Sequence, residues 1–300
     1  MATTKYGNYI KSLSFQDYGP GSYRQGTRIT GEYLGLDVHI EYGTYWSAGQ
    51  IGKEPFQSEV HDFNEVMIWM GADTSDLSEL GAEVHVCLGE EKETHVFTCS
   101  TAVFIPKGLP HLPVNIVKMN KPILYLQISC AGEWKATPVL SDTKTSEPVG
   151  WNSKYRHLVS HLAFTRKSAW HYGPENPDDS GGSITDIDCK EFGFNMSYES
   201  IGKAPYRFGP SPEKPHMHPA YDEFALFLGA DTDDLSELGA ELETGMGKEI
   251  ERHVITAPTT IRLPKGFPHS PLTITKLDKP FIFAIVRPFG IVGKTVHQSS

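Results

Sequence analysis

The sequence predicts an all-β protein built from two tandem copies of one β-sandwich or β-barrel unit. Three observations lead there. Short β-like runs are separated by Gly and Pro; a long block of residues occurs twice; and no 10–15-residue amphipathic helices alternate with the runs, which argues against a parallel α/β sheet. The 300 residues contain 28 Gly, 21 Pro, 13 Tyr and 15 Phe, a composition suited to many strands joined by tight turns.

Self-similarity is the strongest signal. Residues 71–83 recur as 229–241 with a single difference, Ser75 against Asp233. The same spacing of 158 pairs His95 with His253, the run 106–111 with 264–269, and Lys121-Pro122 with Lys279-Pro280. Upstream the spacing is 150 (51–55 with 201–205) and then 149, where Lys5, Tyr6 and Phe15 match Lys154, Tyr155 and Phe164. The duplication therefore divides the chain into domains 1–145 and 146–300, joined by the polar stretch 137–150. The step from 150 to 158 places eight extra residues in the second copy between Pro205 and Glu223, in a loop rich in Pro.

Within the first copy, strands are expected at 38–45, 65–70, 84–88, 95–98, 103–106 and 123–128, with a single helical turn at 73–81 that Gly81 stops. The recurring segment at 71–83 and 229–241 is read as structural, with a subunit contact as one role for it. His95 and His253 are read as strand histidines with hydrogen-bonded partners.

Composition narrows function. A formal charge of −10 argues against nucleic acid, whose phosphates call for clustered Lys and Arg. No apolar run approaches the ~18–20 residues of a membrane helix, and residues 1–10 hold no apolar secretory core. The four cysteines (Cys87, Cys99, Cys130, Cys189) lack CxxC spacing and read as reduced thiols, so a cytoplasmic protein with neither nucleic acid nor membrane as partner is expected. A homodimer or higher homo-oligomer is expected.

The chemistry sits where the copies differ. The second copy carries His216-Met-His218, then Glu223 and Gly229, and later Pro264-Lys-Gly266-Phe-Pro-His269. On a strand, His216 and His218 would share a face. Three imidazoles and a carboxylate on one concave surface suit a divalent transition metal with coordination positions left open.

These two blocks, in this order inside a β-rich repeat, resemble the cupin superfamily, and the duplication makes the resemblance one to a bicupin. The resemblance implies two double-stranded β-helix (jelly-roll) barrels and places metal ligands on His216, His218, Glu223 and His269. Two departures are small: five residues rather than six separate Glu223 from Gly229, and Thr273 stands where the family often has Asn. The metal is expected to be one divalent ion, with Fe, Mn, Ni, Co and Zn all compatible. In the first copy the corresponding residues are Glu59, His61, Glu65 and His111, with Glu59 in place of the first histidine. This set is read as a structural remnant, with a second, harder metal as the alternative.

Strand alternation from Glu223 runs inward through Ala225 and Phe227, and from Glu65 through Met67 and Trp69. Large side chains are thus expected to plug the first barrel and to leave the pocket in the second, where Arg207, Tyr221, Ala225 and Phe227 are candidate substrate contacts. The longer loop carrying Arg207 and Lys214 would form part of its mouth or be an ordinary surface insertion. Glu223 is the candidate catalytic group, able to leave the metal and take a substrate proton. The resulting expectation is a metal-dependent enzyme acting on a small aromatic, enolic or carboxylate substrate. It leans toward a dioxygenase, with a decarboxylase, sugar isomerase or non-catalytic ligand-binding protein as alternatives.

Overall fold

A computed structural model describes residues 4–19, 23–51, 57–140, 143–166, 180–208, 215–288 and 296–297. The chain forms two β-barrels of the tandem jelly-roll, cupin type, each made of two antiparallel sheets. All six expected strands appear, as His39–Tyr45, Glu65–Gly71, Glu79–Leu88, Glu93–Cys99, Thr101–Ile105 and Ile123–Ser129, all but the first longer than expected. The expected helical turn at 73–81 does not form; consecutive turns fill it instead, anchored by the buried Leu77. Glu79 already begins the next strand, so too few residues remain to offset the nucleation cost of a helix. The helix among the described residues, Gly31–Leu34, lies elsewhere and ends on Gly35 in the left-handed conformation.

One sheet of the N-terminal barrel runs, in order, Val159–His161, Thr101–Ile105, Glu65–Gly71, Ile123–Ser129, His39–Tyr45, Tyr23–Ile29 and Gln16–Asp17. Because side chains alternate along each strand, paired positions form rows across the barrel wall. One row is His39, Ser129, Glu65; the next is Glu41, Gln127, Met67. In the C-terminal barrel Asn195 pairs with Arg287, whose side chain reaches Glu223, and the next row is Ser197, Ile285, Ala225. Beneath these rows each barrel closes on an apolar core, with Trp69, Tyr45 and Tyr125 in the first and Phe227, Phe281 and Phe283 in the second.

The compact units do not follow the duplication boundary. The N-terminal unit comprises 15–73 and 77–163; the C-terminal unit comprises 1–14, 74–76 and 164–300. The opening strand of each copy has been exchanged. Val159–His161 pairs with Thr101–Ile105 in the N-terminal unit, and Ile10–Ser12 pairs with Thr259–Leu263 in the C-terminal unit. The matching Lys-Tyr dipeptides anchor these strands in the same way. Backbone N–H groups of Lys154 and Tyr155 donate to Glu93 at 3.2 and 3.1 Å, and the Tyr155 hydroxyl donates to Glu91 at 3.1 Å. Lys5 and Tyr6 do likewise to Glu251, both at 3.1 Å, and Tyr6 to Glu249 at 2.9 Å. His95 and His253 lie 3.1 and 2.8 Å from the same glutamates, Glu93 and Glu251, which accounts for their recurrence at matched positions.

Each tyrosine ring lies on a glycine. Gly89 (φ 78°) and Gly247 (φ 73°) adopt the left-handed region, and a Cβ there would run into the ring of Tyr155 or Tyr6. Gly89→Ala should therefore lose about 1–2 kcal/mol from backbone conformation alone, before any clash with Tyr155 is counted. The measurement is a lowered thermal midpoint for Gly89→Ala, and again for Gly247→Ala.

Candidate metal centres

Both predicted ligand sets are brought together at the mouths of their barrels. In the N-terminal barrel Glu65 opens the strand Glu65–Gly71, while Glu59 on Gln57–Val60 pairs directly with His111 at the start of His111–Met119. His61 Nε2 lies 3.1 Å from Glu65 Oε2, 3.2 Å from His111 Nε2 and 3.8 Å from Glu59 Oε1. His111 Nε2 lies 3.5 Å from Glu65 Oε2 and 3.6 Å from Glu59 Oε1. Donor atoms about 2.0–2.2 Å from one metal ion stand roughly 3.0–3.6 Å apart, so these separations suit a shared ion.

Protonation makes the same point. His61 Nδ1–H donates to the Lys135 carbonyl at 2.9 Å and His111 Nδ1–H to the Leu109 carbonyl at 3.1 Å. A carbonyl can only accept, so in the neutral rings both Nε2 atoms carry lone pairs, and these face each other beside two carboxylates. Glu65 Oε2 is buried without a hydrogen bond. A cation at this point relieves all four groups at once, and the residues fit a divalent metal. Burial alone would raise the Glu65 carboxyl, but His111 and His61 hold it below the ordinary carboxylate range; burial raises Glu59. The Tyr125 hydroxyl donates to Gln127 Oε1 at 3.1 Å, which turns the Gln127 amide so that Nε2 donates to Glu65 Oε1. The set read from sequence as a remnant is thus a convergent centre with ordered outer partners.

In the C-terminal barrel one donor atom from each of His216, His218 and His269 lies within 4.8 Å of the others. His269 Nδ1–H donates to the Phe267 carbonyl at 3.0 Å, and the Tyr221 hydroxyl lies 2.9 Å from His218 Nδ1. Glu223 differs from Glu65. Its Oε2 accepts a hydrogen bond from Arg287 Nε at 2.9 Å, while His218 and His269 Nε2 stand at 3.6 and 4.0 Å from its carboxylate. Burial would raise the Glu223 carboxyl, but the Arg287 guanidinium, helped by the imidazoles, holds it down to about 2. An oxygen that already accepts from a guanidinium is a weaker proton acceptor than a free carboxylate.

The expected plug in the first barrel is absent. A cavity of about 720 Å3 lies there, with Met67 on its wall; Trp69 is not part of the lining. Trp69 packs below, 4.5 Å from Tyr125 and 5.7 Å from Tyr45 between ring centres. Glu59, Arg28, His39, Glu41 and Gln127 face the space.

The second-barrel substrate candidates are placed differently from expectation. Phe227 is fully buried against Phe283, 5.1 Å between ring centres, and Ala225 belongs to the same core. Tyr221 is buried and serves His218. Arg207 is exposed between the inward Tyr206 and Phe208, so alternation turns it away from the barrel interior. Lys214 lies outside the described residues.

Sequence reasoning missed His39, Glu41, Gln127 and Arg287. Continuing the period-2 alternation along 123–129 and 281–287 would have found Gln127 and Arg287. His39 and Glu41 carried no motif, only a shared strand face.

No family model and no curated protein matches the sequence. Solved structures do match. A point mutant of Bacillus subtilis oxalate decarboxylase is similar over 96% of this chain and 78% of its own, at 10% identity and a TM-score of 0.59. Oxalate decarboxylase from Lactobacillus farciminis, in complex with formate, is similar over 96% and 87%, at 12% identity and a TM-score of 0.57. The B. subtilis enzyme, in a study of the EPR fine structure parameters of its Mn(II) centres, is similar over 96% and 78%, at 10% identity and a TM-score of 0.58. At such identity the likeness is one of fold. The leaning toward an oxidoreductase finds no support in it, since these neighbours are decarboxylases. No helix among the described residues is long and apolar enough to cross a membrane.

If both centres hold metal, the chain saturates at two divalent ions, and His61→Ala and His218→Ala each lower the count to one. Mass-spectrometric metal analysis of the two variants checks this.

Proposed function

We propose that the protein is a metal-dependent enzyme whose reaction takes place in the N-terminal barrel, on a small oxygenated substrate, by proton transfer rather than by oxygen insertion. The observation that carries this reading is that Glu59, which stands against His61 and His111, lines a cavity of about 720 Å3 whose wall also holds His39 and Glu41. A bound divalent ion would supply Lewis-acid polarisation of a substrate carbonyl or carboxylate.

The remaining work falls to side chains. His39 stands in the same cross-barrel row as Glu65, two strands away, so their backbones are about 10 Å apart. That gap suits a substrate held at one end by the metal centre and presenting a proton to His39 at the other. Burial, with Arg28 close by, pushes the His39 imidazole below its usual 6.5, so the ring is neutral near pH 7 and can accept a proton. Arg28 Nε donates to Glu41 at 2.8 Å, which fixes the direction of the Glu41 carboxylate on the cavity wall. Gln127, bonded to Glu65, holds that ligand in place while charge moves through the site. Met67, Leu112 and Tyr45 line the apolar part and limit water beside the reacting atoms.

This arrangement favours an isomerase or a lyase, including a decarboxylase, over a dioxygenase, because it supplies a neutral base at the far end of a substrate held by a Lewis acid. A ligand-binding protein without catalysis would need no such base.

The test is proton exchange. The metal-loaded protein is incubated in D2O with a panel of hydroxy-carbonyl, enolic and dicarboxylic compounds, and deuterium incorporation or product formation is followed by NMR. Turnover should fall about 10²- to 10⁴-fold in His39→Ala with metal content unchanged. The rate should also decline on the acid side, below pH 6.5, because protonation removes the base and burial has moved that step down from 6.5. No exchange with any compound, or turnover indifferent to His39→Ala, overturns the reading.

A further inference from the structure

The charges on the wall of the N-terminal cavity are arranged by depth. Apart from Glu59, its charged residues among those described are Arg28, Glu41 and Glu133. Arg28 and Glu41 form one ion pair, in which the arginine side chain is 62% exposed and the glutamate 16%. The carboxylate is therefore the inner member and the guanidinium the outer one. Glu133 stays at the surface, paired with Lys135 at 3.0 Å. Trp134 lines the same space, 40% exposed, with its ring centre 5.4 Å from that of His61. Its segment is fastened on both sides: the Lys135 carbonyl accepts from His61 Nδ1–H at 2.9 Å, and the Gly132 carbonyl accepts from the Gly31 N–H at 3.4 Å.

These features decide what the space accepts. Glu59 and Glu65 would balance a divalent ion, and Glu41 already balances Arg28, so among the described residues the wall keeps no cation in reserve for an anionic group. A dicarboxylate would carry two negative charges into an enclosed space whose inner charged group is a carboxylate, and burying unmatched charge is costly. Hydroxyl groups meet the same wall differently. Each one donates and accepts, so one hydroxyl donates to Glu41 while its neighbour accepts from Arg28. Thr30, Tyr45 and Gln127 add neutral polar groups to the lining, and the partly open indole of Trp134 offers an apolar platform for C–H groups. Size points the same way. A cavity of about 720 Å3 corresponds to roughly two dozen waters, far more than a two-carbon diacid displaces.

Resting on the reading of this cavity as the reaction site, we propose that its substrate is a neutral polyhydroxylated carbonyl compound, an aldose or a ketose, and not a dicarboxylate. Its hydroxyls span the Arg28–Glu41 pair and its C–H face lies on Trp134. Such a compound brings the carbon-bound proton beside a carbonyl that proton transfer requires. The chain thereby differs in substrate from the oxalate decarboxylases whose fold it shares.

The experiment uses the full chain loaded with diamagnetic Zn(II) and follows saturation-transfer NMR to a panel of aldopentoses, aldohexoses and ketohexoses, with oxalate as the anionic competitor and zinc content checked throughout. At least one sugar should receive saturation on its C–H protons, keep it in His218→Ala, and resist displacement by an equal concentration of oxalate. Trp134→Ala should weaken that sugar about tenfold with zinc retained. Glu41→Gln, which leaves Arg28 unbalanced, should lower the oxalate concentration needed for displacement about tenfold or more; Glu41→Asp should keep the wild-type preference. Saturation of no sugar, displacement by equimolar oxalate in the wild type, or sugar binding unchanged in both Trp134→Ala and Glu41→Gln overturns the proposal. Deuterium exchange into a dicarboxylate and into no sugar overturns the substrate class and leaves the proton-transfer reading standing. A sugar that binds as expected without exchange in D2O overturns that reading, and the assignment of the sugar as its substrate with it.

Discussion

A carboxylate placed out of reach of water has to be compensated, and each barrel is organised around one such group. Glu65 is 0% exposed and Glu223 is 3% exposed, each opening an interior strand of its sheet at the barrel mouth. An uncompensated ionised carboxylate at such depth would cost many kcal/mol. The positions around it are therefore constrained: histidines from the facing sheet, a donor from the neighbouring strand, and a cation in reach. The two copies meet that constraint differently. The first supplies two imidazoles and the Gln127 amide and adds a second carboxylate, Glu59, which leaves the group of four in need of a cation. The second supplies three imidazoles and a cation of its own, Arg287. Duplicated scaffolds with unlike charge balances are poor candidates for doing the same task twice.

Much of this was legible in the residues. The repeat at 71–83 and 229–241, the Gly and Pro punctuation and the alternation of apolar residues pointed to two β-barrels, because the pleat and the turns are local consequences of sequence. The duplicated glycine of that repeat has a packing cause: a Cβ at Gly71 or Gly229 would run into the carbonyl oxygen of Glu79 or Glu237. The ligand clusters were legible as well, since their members share short motifs. What the sequence hid was cross-strand. His39 stands beside Ser129 and Glu65, and Arg287 beside Asn195 and Glu223, only through strand register, which no spacing along the chain encodes.

The expectation about pocket space failed for a related reason. Alternation correctly turned Met67 and Trp69 inward, but depth along the barrel decides whether a large side chain fills or only floors a cavity. Trp69 lies one row below Met67 in the aromatic layer with Tyr45 and Tyr125, leaving the level of Gln127 and Glu41 open. In the other barrel Phe227, Phe283 and Phe208 make the matching layer. Periodicity gives the face, not the level.

The exchanged opening strands carry a consequence for biosynthesis. The N-terminal barrel lacks an edge strand until Val159–His161 has left the ribosome, well after the sequence of its own copy has been made. The strand Ile10–Ser12, synthesised long before, has to wait for its partner Thr259–Leu263. Vectorial folding is thus offset from the duplication boundary: the N-terminal unit has all its strands once residue 163 is made, and only the C-terminal unit draws on residues from both ends of the chain. That early strand stays unpaired while both barrels are being translated, and neither barrel can be completed from its own half of the message.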